Sequence, residues 1–360
     1  MNGCARRSHS INASATDVIQ HPDSTPADAW DGRLQPASGH LLQSWRWGAF
    51  KQQHGWTPHR ILVERPDGWA SAQVLYRARG PVSIGYVPRG PVISGPKQSL
   101  WKALCGEIDR AALQHRAIMT IIEPDGPLDL TESLAEAGVV QGPAHFQPSR
   151  TVKIPLLEDD ALLKQMHQKT RYSVRLAQRR GVTIERQTLG DKAIDQFYAL
   201  MLDTAERNAF GVHSKAYYAD FLRTFGDDAV LLFARVDDGQ LAAVLIAAAF
   251  ATEAIYMYGA SSTQHRAHGA AFLLQFEAMR WGRERGCSTY DLWGIPDHDP
   301  TTTHNEDQSK IVGTRGDDMR GLYRFKTGFG GESVSYPPSV ERRHVPLLPW
   351  LARKINAVRE

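Results

Sequence analysis

Four groups of side chains have types and spacings that suit chemistry. In GLYRFKTGFGGE (321–332), Lys326 is flanked by Phe325 and Phe329, and Gly328, Gly330 and Gly331 open backbone conformations closed to other residues. An ammonium held beside aromatic walls can stabilise an oxyanion or act as an electrophile; the same pattern suits a surface lysine beside a glycine-rich turn. Between residues 164 and 186 the chain carries Lys164, Lys169, Arg171, Arg175, Arg179, Arg180 and Arg186 against one acid, Glu185. Arg171, Arg175 and Arg179 share a helix face, where like charges repel and a phosphate backbone would relieve them. The alternative is a solvated face paired with acids elsewhere. Arg266-Ala267-His268-Gly269-Ala270-Ala271 has the form of a glycine-bearing turn that opens a helix and offers free N–H groups to an anion, or of an ordinary strand–helix turn. Trp47 and Lys51 lie four apart on one helix, as a contact pair or as a core tryptophan with a snorkelling lysine. Glu123 and Asp291 end expected strands, where a carboxylate faces a cleft or serves the structure.

Other chemistries find no pattern. The histidines are scattered, with no HExxH and no Ser–His–Asp order. Cys4, Cys105 and Cys287 lie far apart, so metal-ligand spacing and a disulfide framework are both missing. No metal or organic cofactor is expected, and a reducing cytoplasm is the expected compartment. The net charge of +3 does not by itself mark a nucleic-acid binder. The longest apolar stretch, AAVLIAAAFA at 242–251, is too short to span a bilayer.

The elements that must position these residues form two similar series. Residues 1–37, rich in Ser, Asp, Ala and Pro and without a secretory apolar segment, read as a disordered leader. LLQSWRWGAFKQQHG reads as a helix stopped at Gly55, and 59–65 with 69–79 as a hairpin divided by Pro66-Asp67-Gly68. A third strand, a helix ending near His115, the strand AIMTIIEP and a helix over 130–138 follow. The second series opens with strand 151–156. It continues with a helical region from about Glu158 to Arg180, helices near 191–208 and 214–225, and a three-strand meander. A helix from about Ala270 to Arg285 and the strand STYDLWG close it. Meander, helix, strand occurs twice, which is the order of the acetyltransferase-like (GNAT) fold. Pro296–Met319 reads as a loop that is functional or disordered. The tail is expected to end in an amphipathic helix packed on the first domain.

Taken together, LLQSWRWGAFKQQHGW, KTRYSVRLAQRRGV, YMYGASS, LLQFEAMRWGRERG, YDLWGI and GLYRFKTGFGGE resemble, in order, the Fem family of peptidoglycan-bridge aminoacyltransferases (FemABX-like). The resemblance covers about 40 to 340. It implies an α/β enzyme of two GNAT-like domains with mixed sheets and no coiled-coil arm. The first domain would comprise 38–150 completed by 332–360, and the second 151–331. Its activity would be transfer of an amino acid from aminoacyl-tRNA to the side-chain amine of the peptidoglycan stem peptide, on lipid II or UDP-MurNAc-pentapeptide, with peripheral contact at the inner face of the membrane.

By the same resemblance, Lys326 is catalytic and Lys51 contacts the precursor's diphosphate. Glu123, also catalytic, would stand near the acceptor amine and orient it or help remove its proton. Trp47, Tyr258, Arg266, His268 and Phe325 would complete the precursor site, and Arg171, Arg175 and Arg179 would meet the tRNA. The residues leave two rivals: an acyl-CoA N-acyltransferase using Arg266, Gly269 and Ala271, and a non-catalytic tRNA-binding module using only the arginine stripe.

Overall fold

Alternation along the strands decides which core each residue enters. In β10 (Ala229–Val236) and β11 (Gln240–Phe250), Leu231, Phe233, Val244 and Ile246 join one core, whereas Leu232, Ala234, Leu245 and Ala247 join another. The sheet they form is therefore covered on both faces. The computed structural model describes residues 18–20, 27–128, 134, 137–143, 146–208, 211–297 and 316–345.

The first half runs β1 (Val18–Gln20), α1 (Ala27–Leu34), α2 (Trp45–Gln53), β2 (Thr57–Arg65), β3 (Gly68–Arg79), β4 (Val82–Pro88), β5 (Val92–Ser94), α3 (Lys97–Gln114), β6 (Ala117–Glu123) and β7 (Val140–Gln141). The second half runs β8 (Arg150–Pro155), α4 (Asp159–Gln165), α5 (Gln168–Arg179), β9 (Thr183–Gln187), α6 (Asp191–Asn208), α7 (Lys215–Phe225), β10 and β11. It continues through β12 (Glu253–Ser261), α8 (Ala270–Glu284), β13 (Thr289–Asp291), α9 (Gly316–Thr327) and β14 (Glu332–Ser335), and β15 (Val340–Arg343) comes last.

One sheet has the order β1-β2-β3-β4-β6-β15-β7, with β5 on β3; the other is β14-β8-β13-β12-β11-β10-β9. Each contains an antiparallel meander whose last strand pairs in parallel with the strand after a crossover helix: β4 with β6 across α3, and β12 with β13 across α8. The repeated plan of the sequence is thus two GNAT-like domains with mixed sheets. β14 still pairs with β8, so the chain returns to the first sheet only after Ser335, later than the expected 331/332 boundary.

The halves share a core. Phe50 of α2 is fully buried and meets Tyr217 and Phe221 of α7 edge-on, with ring centroids 4.6 and 5.5 Å apart.

Several expectations need correction. The stretch 1–37 is not uniformly a disordered leader. β1 pairs with β2, and α1 buries Trp30 and Leu34, with the Trp30 indole N–H donating to the Gln43 carbonyl at 2.9 Å. Two large apolar side chains one turn apart suffice to dock a helix on a folded neighbour. The region 158–180 is helical as expected, in two helices, because Met166 turns extended (ψ 145°) and buries its side chain. The helix expected over 130–138, most of the 296–319 loop and the amphipathic tail fall largely or wholly outside the described residues, although α9 already begins at Gly316.

Candidate active site

α2 starts at Ser44, whose hydroxyl accepts from the Trp47 N–H at 3.1 Å, and runs tight against β3. A Cβ at Gly48 would stand 2.1 Å from the Gln73 side-chain oxygen, so only glycine permits this approach. The helix then carries Trp47 and Lys51 into a cavity of about 350 Å³ between the two halves. The Lys51 ammonium lies 5.6 Å from the Trp47 and Trp56 ring centroids and 5.4 Å from that of Tyr217. Burial, and then the Arg77 guanidinium, push it down to about 7.

The indole N–H groups of Trp47 and Trp56 are buried without acceptors. Across the cavity, His213 stacks on Tyr217 at 3.9 Å and is held to about 4 by burial and Lys51, so it is neutral at pH 7. An amine that is charged below about pH 7 and two unfilled N–H donors, walled by aromatic rings, are groups that can hold an anion.

Trp293 closes one side of this cavity. Its backbone is left-handed (φ 57°), a costly conformation for a bulky residue. Asp291 holds it there: fully buried at the end of β13, its carboxylate accepts from the Trp293 N–H at 2.6 Å and from the Thr151 and Tyr336 hydroxyls. The turn aims the carbonyls of Trp293 and Gly294 at Lys326, whose ammonium donates to them at 3.4 and 2.7 Å. Lys326 is buried in the last turn of α9, 5.5 Å from the Tyr256 ring centroid. Burial pushes it down to about 8, opposed by Asp291. At neutral pH it is mainly an ammonium, with one N–H beyond the two given to carbonyls.

Glu123 stands behind the wall of the same cavity. It is fully buried, and its carboxylate accepts from the Tyr86 hydroxyl and the N–H groups of Phe146 and Gln147. Those three residues line the Lys51 cavity, so Glu123 holds its wall.

A model of the FemAB family matches residues 33–141, 145–241 and 237–355. The chain belongs to the FemAB family. The lipid II:glycine glycyltransferase of Staphylococcus aureus is 25% identical over 347 residues, spanning 73% of this chain and 81% of that protein. FemX superposes with a TM-score of 0.77 at 21% identity, over 93% of this chain and 99% of its own. A tandem GNAT protein from the clavulanic acid biosynthesis pathway superposes with a TM-score of 0.53 at 14% identity, over 92% and 99% of the two chains. These two structures share the fold.

Within this FemAB chain the remaining expected residues separate. Tyr258 lines the Lys51 cavity with Trp47. Phe325 does not reach it; it packs on Phe272 and Phe329 at 4.9 and 5.2 Å. Arg266 is exposed and His268 half-buried in the turn before α8, away from the cavity lining. That turn is packed under α5: a Cβ on Gly269 would stand 2.7 Å from the Ser173 carbonyl oxygen, and Arg180 donates to the Ala267 carbonyl. The glycine therefore serves helix–helix contact.

On α5, Thr170, Val174 and Ala177 face inward and the arginines outward. Arg171 donates to the carbonyls of Leu163, Lys164 and Met166 at 3.2–3.4 Å and so caps α4, while Arg179 lies 5.7 Å from the Tyr172 ring centroid. Among the described residues, none of Arg171, Arg175 and Arg179 pairs with a carboxylate, unlike the acid-paired face weighed from sequence.

Sequence reasoning missed His213, Tyr217, Trp56 and Trp293. The first two flank Ser214, the N-cap of α7, and only the tertiary fold brings them to α2. Asp291-Leu292-Trp293-Gly294 carried a readable signal, an aspartate that caps the backbone two residues on.

Proposed function

We propose that this protein transfers an amino acid from aminoacyl-tRNA to the side-chain amine of the stem peptide of a peptidoglycan precursor, lipid II or UDP-MurNAc-pentapeptide. The supporting observation is the buried Lys51 with two unfilled indole donors, in a cavity shared by two GNAT-like domains and joined through Trp293 to Lys326. Membership of the FemAB family and the Staphylococcus aureus relative favour the same class of reaction.

In this reading the cavity grips the precursor's diphosphate, with charge-assisted bonds of about 1.5–3 kcal/mol each. The donor is an activated ester, so the enzyme has few tasks. An acceptor amine, pKa about 10.4 when free, must give one ammonium proton to water and be held within attacking distance of the ester carbonyl. The nitrogen attacks and a tetrahedral oxyanion forms. The C–N bond is kept, and the ester C–O bond breaks to release the tRNA hydroxyl with a proton. Lys326, anchored by two carbonyls, offers its remaining N–H to that oxyanion. The exposed arginines of α5 meet the tRNA.

The acyl-CoA alternative loses its motivation, because the Gly269 turn lies under α5. The tRNA-binding module leaves Lys51 and Lys326 unexplained.

The test combines charged tRNA with UDP-linked or lipid-linked precursor and follows the precursor by mass spectrometry. An added aminoacyl mass is expected. Lys326→Met should abolish it while precursor affinity changes less than about twofold. Unchanged turnover would remove Lys326 from the mechanism, and no product with either precursor would reject the reaction.

A further inference from the structure

A second cavity, of about 190 Å³, lies in the first domain, and Trp293 packs against two of its lining residues, His40 and Arg89. Its lining includes His40, Arg89 and Asp125. Each brings an unfilled polar atom. His40 accepts from the Leu42 N–H through Nδ1 at 3.1 Å, which places the ring proton on Nε2, and Nε2 is buried without a partner. Arg89 is 1% exposed. It gives one N–H to the Pro148 carbonyl at 2.6 Å, while its Nε and Nη1 are buried and unfilled. Among the described residues no carboxylate pairs with it. Its guanidinium is fixed by stacking 3.3 Å from the Tyr336 ring centroid, on a left-handed backbone (φ 49°). Asp125 contributes a buried, unfilled carboxylate oxygen.

Buried polar atoms without partners cost free energy unless something fills them. The donors of Arg89 and His40 suit a carboxylate, and Lys97 on the same lining adds positive charge. The oxygen of Asp125 suits an ammonium. The volume, about six waters' worth, accommodates an amino-acid head group. Trp293 joins this cavity to the proposed reaction site: its ring centroid is 5.7 Å from that of His40 and 5.6 Å from the Arg89 guanidinium, and it lines the Lys51 cavity.

We propose that this cavity binds an amine and a carboxylate borne on one carbon, so that the acceptor is a diamino-dicarboxylic residue and not lysine or ornithine. The inference rests on the aminoacyl-transfer reading for its acceptor. An aminoacyl ester has the ammonium but no free carboxylate, and a lysine side chain has an amine with no carboxylate beside it. Of these three groups, the diamino-dicarboxylic side chain alone fills both halves of the site.

The experiment uses the full chain and three UDP-linked pentapeptides that differ at the third residue: diaminopimelate, its side-chain carboxamide, and lysine. Calorimetric titration should show diaminopimelate bound at least about tenfold more tightly than the other two. Arg89→Gln should reduce that preference to about twofold and leave the lysine precursor's affinity unchanged. Equal affinities for wild-type protein overturn the proposal, and that comparison needs no variant to fold. Free diaminopimelate, followed by ligand-observed NMR, separates the two readings. If it binds in an Arg89-dependent way while no precursor binds, the cavity assignment stands and the transfer reading falls. If precursors bind without preference, the cavity assignment falls alone. If nothing binds, both fall.

Discussion

Lys51 shows how a local pattern and a distant contact combine. Its spacing from Trp47 was legible in the sequence, because residues four apart on a helix share a face. The partners that surround it in the cavity were not legible, since Trp56, His213 and Tyr217 come from a strand start and from the other domain. Glu123 was legible as a carboxylate at a strand end, but its role depends on which N–H groups the next loop returns to it. The desolvated ammonium leads to a pH prediction. Lys51 is held near 7, so above neutrality the free protein increasingly presents a neutral amine. Precursor affinity should therefore fall as pH rises from 6 to 9, by up to about tenfold per unit. In Lys51→Met the affinity should be lower by about ten- to a hundredfold at pH 6, and its pH dependence should be lost. Between about 7 and the ordinary lysine value the unfolded chain holds the extra proton, so ligand-free stability gains from Lys51 as pH rises there. Calorimetric titration across pH for both proteins checks the binding claim, and an equal slope in the variant would assign the titration elsewhere.

Elements were legible where periodicity was long and uninterrupted, as in the hairpin β2–β3, the meander β10–β12 and the helix α8. They were misread where tertiary contact overrides composition. The polar leader hides α1, whose burial depends on a pocket formed by residues far along the chain. The helical region 158–180 was legible, but not its division at Met166, which enters the core with no proline or glycine to announce it. α5 itself was legible as basic on one face. Its three arginines differ in freedom: Arg171 is spent on capping α4 and Arg179 rests on Tyr172, whereas Arg175 stands exposed. Arg175→Ala should therefore leave the fold unchanged and remove one phosphate contact from any tRNA complex. The expected result is weaker tRNA binding and a salt slope shallower by about one. Filter binding between low and moderate salt measures it, and a slope equal to that of the unaltered protein would return α5 to the role of a solvated surface helix.

At the scale of the whole molecule, the repeated meander–helix–strand order makes two domains visible in the sequence, but not how they are joined. The joint is a single apolar core in which α2 of the first domain meets α7 of the second. That arrangement places Lys51 and Tyr217 on opposite walls of one cavity, so site geometry and domain cohesion depend on the same contacts. Phe50 sits at the centre, with ring centroids 5.5 Å from Trp47, 4.6 Å from Tyr217 and 5.5 Å from Phe221. If the halves are one cooperative unit, calorimetry should give a single transition with equal calorimetric and van't Hoff enthalpies. Phe50→Ala should cost about 3–5 kcal/mol. It should also weaken precursor binding, although Phe50 is not among the residues lining the cavity, because the truncated core no longer fixes α2 against α7. Two separate transitions in the unaltered protein would show that the domains fold independently. A Phe50→Ala protein that loses stability but keeps full precursor affinity would show that the Lys51 wall is set by the first domain alone.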